Sequence, residues 1–183
     1  STASGGAAPM PTVNRLAMLS DGQRLFAATN TGLYASDDGG ATWWNSILSL
    51  RTLDVIAHPT VVTQVVASGS GWVRASQDGG LNWTLSAGIP LGTGRIEVAM
   101  SRVSPSTVYA SLDRNGGELY RSTDGGLNFA VVNNVQNMLG AQGWYGNMLW
   151  VNPVNVNEVI VGGVDVYRSI NGGVSFTQIG NWS

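Results

Sequence analysis

The sequence predicts an all-β repeat protein, and three observations predict it. An eight-residue phrase returns four times, at 36–43 (SDDGGATW), 76–83 (SQDGGLNW), 122–129 (STDGGLNF) and 169–176 (SINGGVSF). Its serines stand 40, 46 and 47 residues apart, a period that marks a copied supersecondary unit unable to bury its apolar face alone. Each phrase lies between short runs of alternating apolar and polar residues. No segment keeps helical spacing for three turns, so almost no α-helix is expected.

The elements follow in order within each unit. Alternating runs flank the phrases at 32–36 and 42–47, 72–75 and 82–85, 118–121 and 128–132, and 165–168 and 175–179. A Gly-Gly turn between two such runs is a hairpin signature. Two further apolar runs precede each hairpin, at 15–19 and 24–28, 53–57 and 64–68, 96–100 and 107–111, and 148–151 and 158–162. Four strands per unit and four units of about 45 residues each match the blades of a β-propeller. The expected blades are 12–49, 50–90, 91–136 and 137–183, after a small, flexible linker or trimmed start at 1–11. Four blades in register leave two open flanks, because arrays of repeats need capped ends. Three arrangements satisfy that need: further blades in a longer parent chain, two chains joined in one ring as a homodimer, or a closed four-blade ring.

The chemistry of the phrase is that of a turn. Ser36, Ser76, Ser122 and Ser169 carry hydroxyls suited to closing it through backbone bonds. Asp38, Asp78, Asp124 and Asn171 carry oxygens that accept backbone N–H groups across it. Gly40, Gly80, Gly126 and Gly173 allow positive φ, and Trp43, Trp83, Phe129 and Phe176 bring large rings to pack between blades. Calcium needs six to eight oxygens, more than one or two carboxylates per turn supply, and Asn171 removes a charge from the fourth turn. The pattern S-x-D-x-G-x-T-[WF] resembles the Asp-box, or BNR repeat, of bacterial sialidases, xyloglucanases, sortilin and photosystem II assembly factors. The resemblance implies a propeller whose boxes join third and fourth strands on the face opposite the active site. Residues 144–168 are also similar to a stretch of large, secreted, glycosidase-like bacterial BNR proteins. The resemblance implies a secreted or periplasmic bacterial protein.

Composition narrows the partners. Charged residues are 11% of the chain and the net charge is −2, which leaves no basic face for nucleic acid. The absence of cysteine excludes disulfides and thiolate metal sites. A single histidine, His58, does not anchor zinc and reads as a polar strand-end residue. No apolar run reaches the length of a membrane span. Neither metal nor cofactor is expected.

Candidate chemistry therefore lies on the face opposite the turns, in the loops at 30–32, 46–52, 68–71, 87–95, 113–117 and 133–146. Residues 113–117 (DRNGG) read first as a hairpin turn. Alignment of the units on their second strands puts Asp54 and Glu97 at one position on adjacent inner strands. A carboxylate pair is what glycoside hydrolysis requires, whereas pairing with Arg51 or Arg95 would make the same residues structural. Gln142, Trp144 and Tyr145, in the longest connection, suit sugar stacking or simply cover the last blade. The arginine triad, Arg-Ile-Pro motif and Tyr-Glu pair of sialidases are missing. The expected function is a noncatalytic segment of a secreted propeller, a scaffold or a module binding polysaccharide or another extracellular protein. The alternative is part of a secreted glycoside hydrolase whose site is completed by other blades.

Overall fold

Residues 11–181 are described by the computed structural model of the protein, and they form four antiparallel sheets of four strands, each sheet in sequence order. Blade 1 holds β1 (Val13–Met18), β2 (Leu25–Thr29), β3 (Gly32–Ser36) and β4 (Trp44–Leu48). Blade 2 holds β5 (Thr52–Ala57), β6 (Val65–Gly69), β7 (Val73–Ser76) and β8 (Thr84–Leu85). Blade 3 holds β9 (Ile96–Met100), β10 (Val108–Leu112), β11 (Glu118–Ser122) and β12 (Ala130–Asn133). Blade 4 holds β13 (Met148–Asn152), β14 (Asn155–Gly162), β15 (Val166–Ser169) and β16 (Thr177–Gly180), preceded by one short helix, α1 (Gly143–Gly146). The expected linker, but for Pro11, lies outside the described residues. The first strands stand side by side, β1 against β5, β5 against β9 and β9 against β13. The chain is an arc of β-propeller blades. No helix among the described residues is long and apolar enough to cross a membrane.

The repeated phrases form the turns between third and fourth strands. The Ser36 hydroxyl donates to Asp38 Oδ1 at 2.8 Å and accepts the Gly40 N–H at 2.8 Å. Asp38 in turn accepts the N–H and hydroxyl of Thr42, at 2.9 and 2.6 Å. Ser76 with Asp78 and Ser122 with Asp124 repeat the pattern, with Asn82 and Asn128 in place of Thr42. Asn171 makes the equivalent bonds without charge, accepting the Ser175 N–H and donating to the Ser175 hydroxyl. Bonds from Thr42 and Ser36 lower the Asp38 carboxyl to about 2, and those from Asn82 and Ser76 do the same for Asp78. The fourth strands start later than the alternation suggests, because the ring residue still belongs to the turn. Trp43 and Trp83 each donate their indole N–H back to the carbonyl of their own Gly40 or Gly80.

The core lies between blades. Phe26, Ala28, Leu33 and Ala35 pack with Val55, Val65 and Ala67 between blades 1 and 2. Val66, Val73 and Ala75 meet Val98, Tyr120 and Phe129 between blades 2 and 3, and Tyr109 and Leu119 meet Val151, Val159 and Val161 between blades 3 and 4. Close approaches between blades fall on the second glycine of the second and third turns. A Cβ on Gly80 would stand 2.5 Å from the Phe26 ring, and one on Gly126 would stand 2.9 Å from Val66. The preceding blade adds a polar tie from β4 or from just beyond β8. The Ser46 hydroxyl donates to the Gly80 carbonyl and the Ser86 hydroxyl to the Gly126 carbonyl, each at 2.5 Å.

Gly80→Ala is expected to destabilise the protein by about 2–4 kcal/mol, the sum of positive-φ strain and overpacking. Gly39 has a similar φ of 72° but nothing within 4 Å of its Cβ position, so Gly39→Ala is expected to lose only the positive-φ strain, about 1 kcal/mol. Urea unfolding of both variants measures the difference; equal losses would remove the close blade contact as the cause.

Candidate functional site

Strand polarity puts the start of every inner strand on the face opposite the repeated turns. The registers align one position across all four blades: Arg15 opposite Ala28, Asp54 opposite Ser68, Glu97 opposite Ser111, and Met148 opposite Gly162. These side chains line one end of a cleft of about 810 Å³ that runs along the inner strands past Ile56, Met100 and Trp150.

Asp54 and Glu97, 2% and 3% exposed, are brought together by Arg15. Its Nε donates to Asp54 Oδ1 at 2.9 Å and its Nη2 to Glu97 Oε2 at 3.0 Å. Asp54 Oδ1 also accepts the Val55 N–H at 2.8 Å, and Oδ2 accepts the Val98 N–H at 3.0 Å. Glu97 Oε1 is held by Arg95, through Nε at 2.8 Å and Nη2 at 2.5 Å. All four carboxylate oxygens therefore have partners, and one cation on blade 1 ties together blades 2 and 3. Burial, and after it the Asp54 charge, push the Glu97 carboxyl up to about 7, against the pull of Arg95 and Arg15. A carboxyl that keeps its proton near neutrality beside a second carboxyl is the charge pattern of acid–base chemistry.

The other candidates divide between this mouth and its rim. Arg95 joins the carboxylates, whereas Arg51 turns away and donates to the Asn30 side chain at 3.2 Å. The long connection closes into α1, where Gln142 stands at the N-cap with no side-chain bond to the helix. Trp144 and Tyr145 follow it, 65% and 73% exposed, with ring centres 5.5 Å apart and planes tilted by 52°. The helix is fixed to the mouth of blade 3. Asn147, its C-cap, donates to the Ser111 carbonyl at 2.9 Å, and Gly143 lies so close to Asp113 that a Cβ there would clash with it. Residues 113–117 form the turn between β10 and β11, closed by the Gly117 N–H on the Arg114 carbonyl at 2.8 Å.

Sequence reasoning missed Arg15 and Trp150. The alignment that paired Asp54 with Glu97 also contained the signal for Arg15, at the same position of the first inner strand. Trp150 faces the cleft because the sheet face it shares with Ile160 has no further blade against it among the described residues.

The chain matches no protein-family model. It is similar to a xyloglucanase from a Paenibacillus species, 28% identical over 126 residues that make up 66% of this chain and 12% of that protein. Among solved structures, an ancestral GH74 enzyme superposes with a TM-score of 0.70 at 18% identity, over 91% of this chain and 25% of that one. The β-propeller fold is shared. The GH74 enzyme of Niastella koreensis follows it with a TM-score of 0.56 at 18% identity, over 91% of this chain and 38% of its own. An auxiliary nutrient binding protein from Bacteroides thetaiotaomicron matches with a TM-score of 0.62 at 12% identity, over 91% and 46% of the two chains. The chain thus spans about an eighth of the xyloglucanase and a quarter of the ancestral enzyme.

Two opposed titrations follow from the geometry. Native Glu97 holds its proton up to about 7 against an ordinary 4.5, so stability falls as pH rises between those values. Asp38 and Asp78 move the other way, from 3.8 to about 2, so stability falls as pH drops through that range. Thermal melting across pH is expected to peak near pH 4, and Glu97→Gln to flatten the upper slope. Arg15→Gln, which leaves two buried carboxylates short of a cation, is expected to lose about 2 kcal/mol at pH 7, measured by urea unfolding.

Proposed function

We propose that these four blades are a noncatalytic, polysaccharide-binding part of a secreted bacterial Asp-box propeller related to the xyloglucanases, with glycan held at the rim of the inner-strand mouth. The observation that carries this reading is the pair of exposed rings on α1, Trp144 and Tyr145, fixed beside the mouth. Exposed aromatic faces suit the C–H faces of pyranose rings, and nearby polar groups such as Gln142 orient the hydroxyls. The similarity to a xyloglucanase supports a β-glucan with xylose branches as the ligand. The arginine and backbone N–H groups on every oxygen of Asp54 and Glu97 support a binding role over a cleaving one, since they compete with a substrate proton for the same lone pairs.

Titration of the protein with xyloglucan oligosaccharides, followed by tryptophan fluorescence and calorimetry, tests the reading. Trp144→Ala is expected to weaken binding about tenfold, the loss of one stacked ring, and Tyr145→Phe to leave it within about twofold. Unchanged affinity in Trp144→Ala would refute the rim as the binding surface.

One observation favours a second reading, in which the mouth belongs to a glycoside hydrolase completed by further blades. Glu97, raised to about 7, would act as the acid, with Asp54 as the second carboxyl group of the pair. Release of reducing ends from xyloglucan, abolished by Glu97→Gln and by Asp54→Asn in variants that still fold, would decide for it.

A further inference from the structure

A second cavity, of about 390 Å³, adjoins the first cleft at the opposite end of the inner strands, where β1, β5 and β9 run into the loops that follow them, and shares Ile56, Met100 and Arg102 with it. Its walls are Met18 and Leu19 of blade 1, Ile56 of blade 2 and Met100 of blade 3, and its polar side chains are Ser20, His58 and Arg102. None of these residues is acidic. Arg102 is exposed and makes no ion pair among the described residues.

His58 faces this cavity in a fixed tautomer. It is 8% exposed, and its Nδ1 accepts the backbone N–H groups of Thr60 and Val61, at 3.1 and 2.9 Å. Backbone N–H groups only donate, so Nδ1 carries the lone pair and the proton of the neutral ring sits on Nε2. Nε2 has no partner among the described residues. Burial lowers the His58 pKa below its ordinary value, and the two amides aimed at Nδ1 oppose a second proton there. Near neutral pH the ring thus presents a donor that cannot become an acceptor.

One guanidinium, one imidazole N–H and one hydroxyl, set over methionine and isoleucine, specify an anion with an apolar flank. We propose that this cavity is a carboxylate-binding site for a compact organic acid, held through its carboxylate by Arg102 and His58 Nε2 and along its body by Met18, Ile56 and Met100. The planar guanidinium fork matches a planar carboxylate in two parallel bonds. The site lies at the far end of the strands from Trp144 and stands independently of the glycan reading. Its carboxylate comes from one of two sources, a free acid or a uronate residue of a glycan, and both present the same group.

Calorimetry with sodium benzoate and with sodium glucuronate, each against the whole protein, tests the site, with glucose and inorganic phosphate as controls. Binding of benzoate identifies a free acid and binding of glucuronate a glycan-borne one; either supports the proposal. Arg102→Gln, at an exposed position that leaves the fold intact, is expected to weaken the bound acid about tenfold and Arg102→Lys by less, since lysine keeps the charge without the fork. Nitrogen-15 spectra of the histidine ring are expected to show the Nε2–H resonance move on binding while Nδ1 stays unprotonated. Neither acid binding, phosphate or glucose binding as tightly as the acids, or unchanged affinity in Arg102→Gln would overturn the assignment.

Discussion

Everything in this arc depends on how closely one sheet lies on the next, and the absence of a side chain at one residue per turn sets that distance. Gly80 and Gly126 carry positive φ and meet the preceding blade where a methyl group has no room. The approach lets Phe26 and Val66 reach across the gap and brings the glycine carbonyls within reach of Ser46 and Ser86. The serine and aspartate of each turn hold the glycine pair in that conformation from the exposed side. The repeated phrase is thus a device for presenting bare backbone to a neighbour.

Close stacking has a second effect at the opposite end of the strands. It brings the equivalent position of successive inner strands near enough for one arginine to serve two of them. Asp54 and Glu97 would repel each other if both were charged and left to themselves; Arg15 and Arg95 make the pair tolerable, and the proton retained by Glu97 relieves the remainder. The same residues look like machinery for hydrolysis or like a tie between blades according to whether their lone pairs are free. Here each oxygen already accepts at least one arginine or backbone N–H.

The fold was legible because the signals that specify it are local: a fixed period, alternation of apolar residues and a turn with its own chemistry. Each survives in a single sequence. The strand starts after the turns were harder to read, because Trp43 and Trp83 alternate like strand residues yet bond back to their own glycines. The mouth was half legible. Asp54 and Glu97 stand out by type, but their partner Arg15 lies 39 and 82 residues away, and no local pattern announces a bond that crosses two blades. His58 shows in the sequence only as a strand-end group, because the ring nitrogen that the chain occupies is visible only once Thr60 and Val61 are placed.

The reach of Arg15 also governs how the arc comes apart. In an array where each unit touches only its neighbours, unfolding can begin at either side and proceed blade by blade. An ionic bond from the first blade to the third breaks that independence, since blade 2 cannot open without stretching a contact it does not itself make. Blades 1 to 3 therefore form one cooperative block. Blade 4 puts Met148 at the equivalent position, so the tie of Arg15 does not extend to it, and amide exchange is expected to find it opening first.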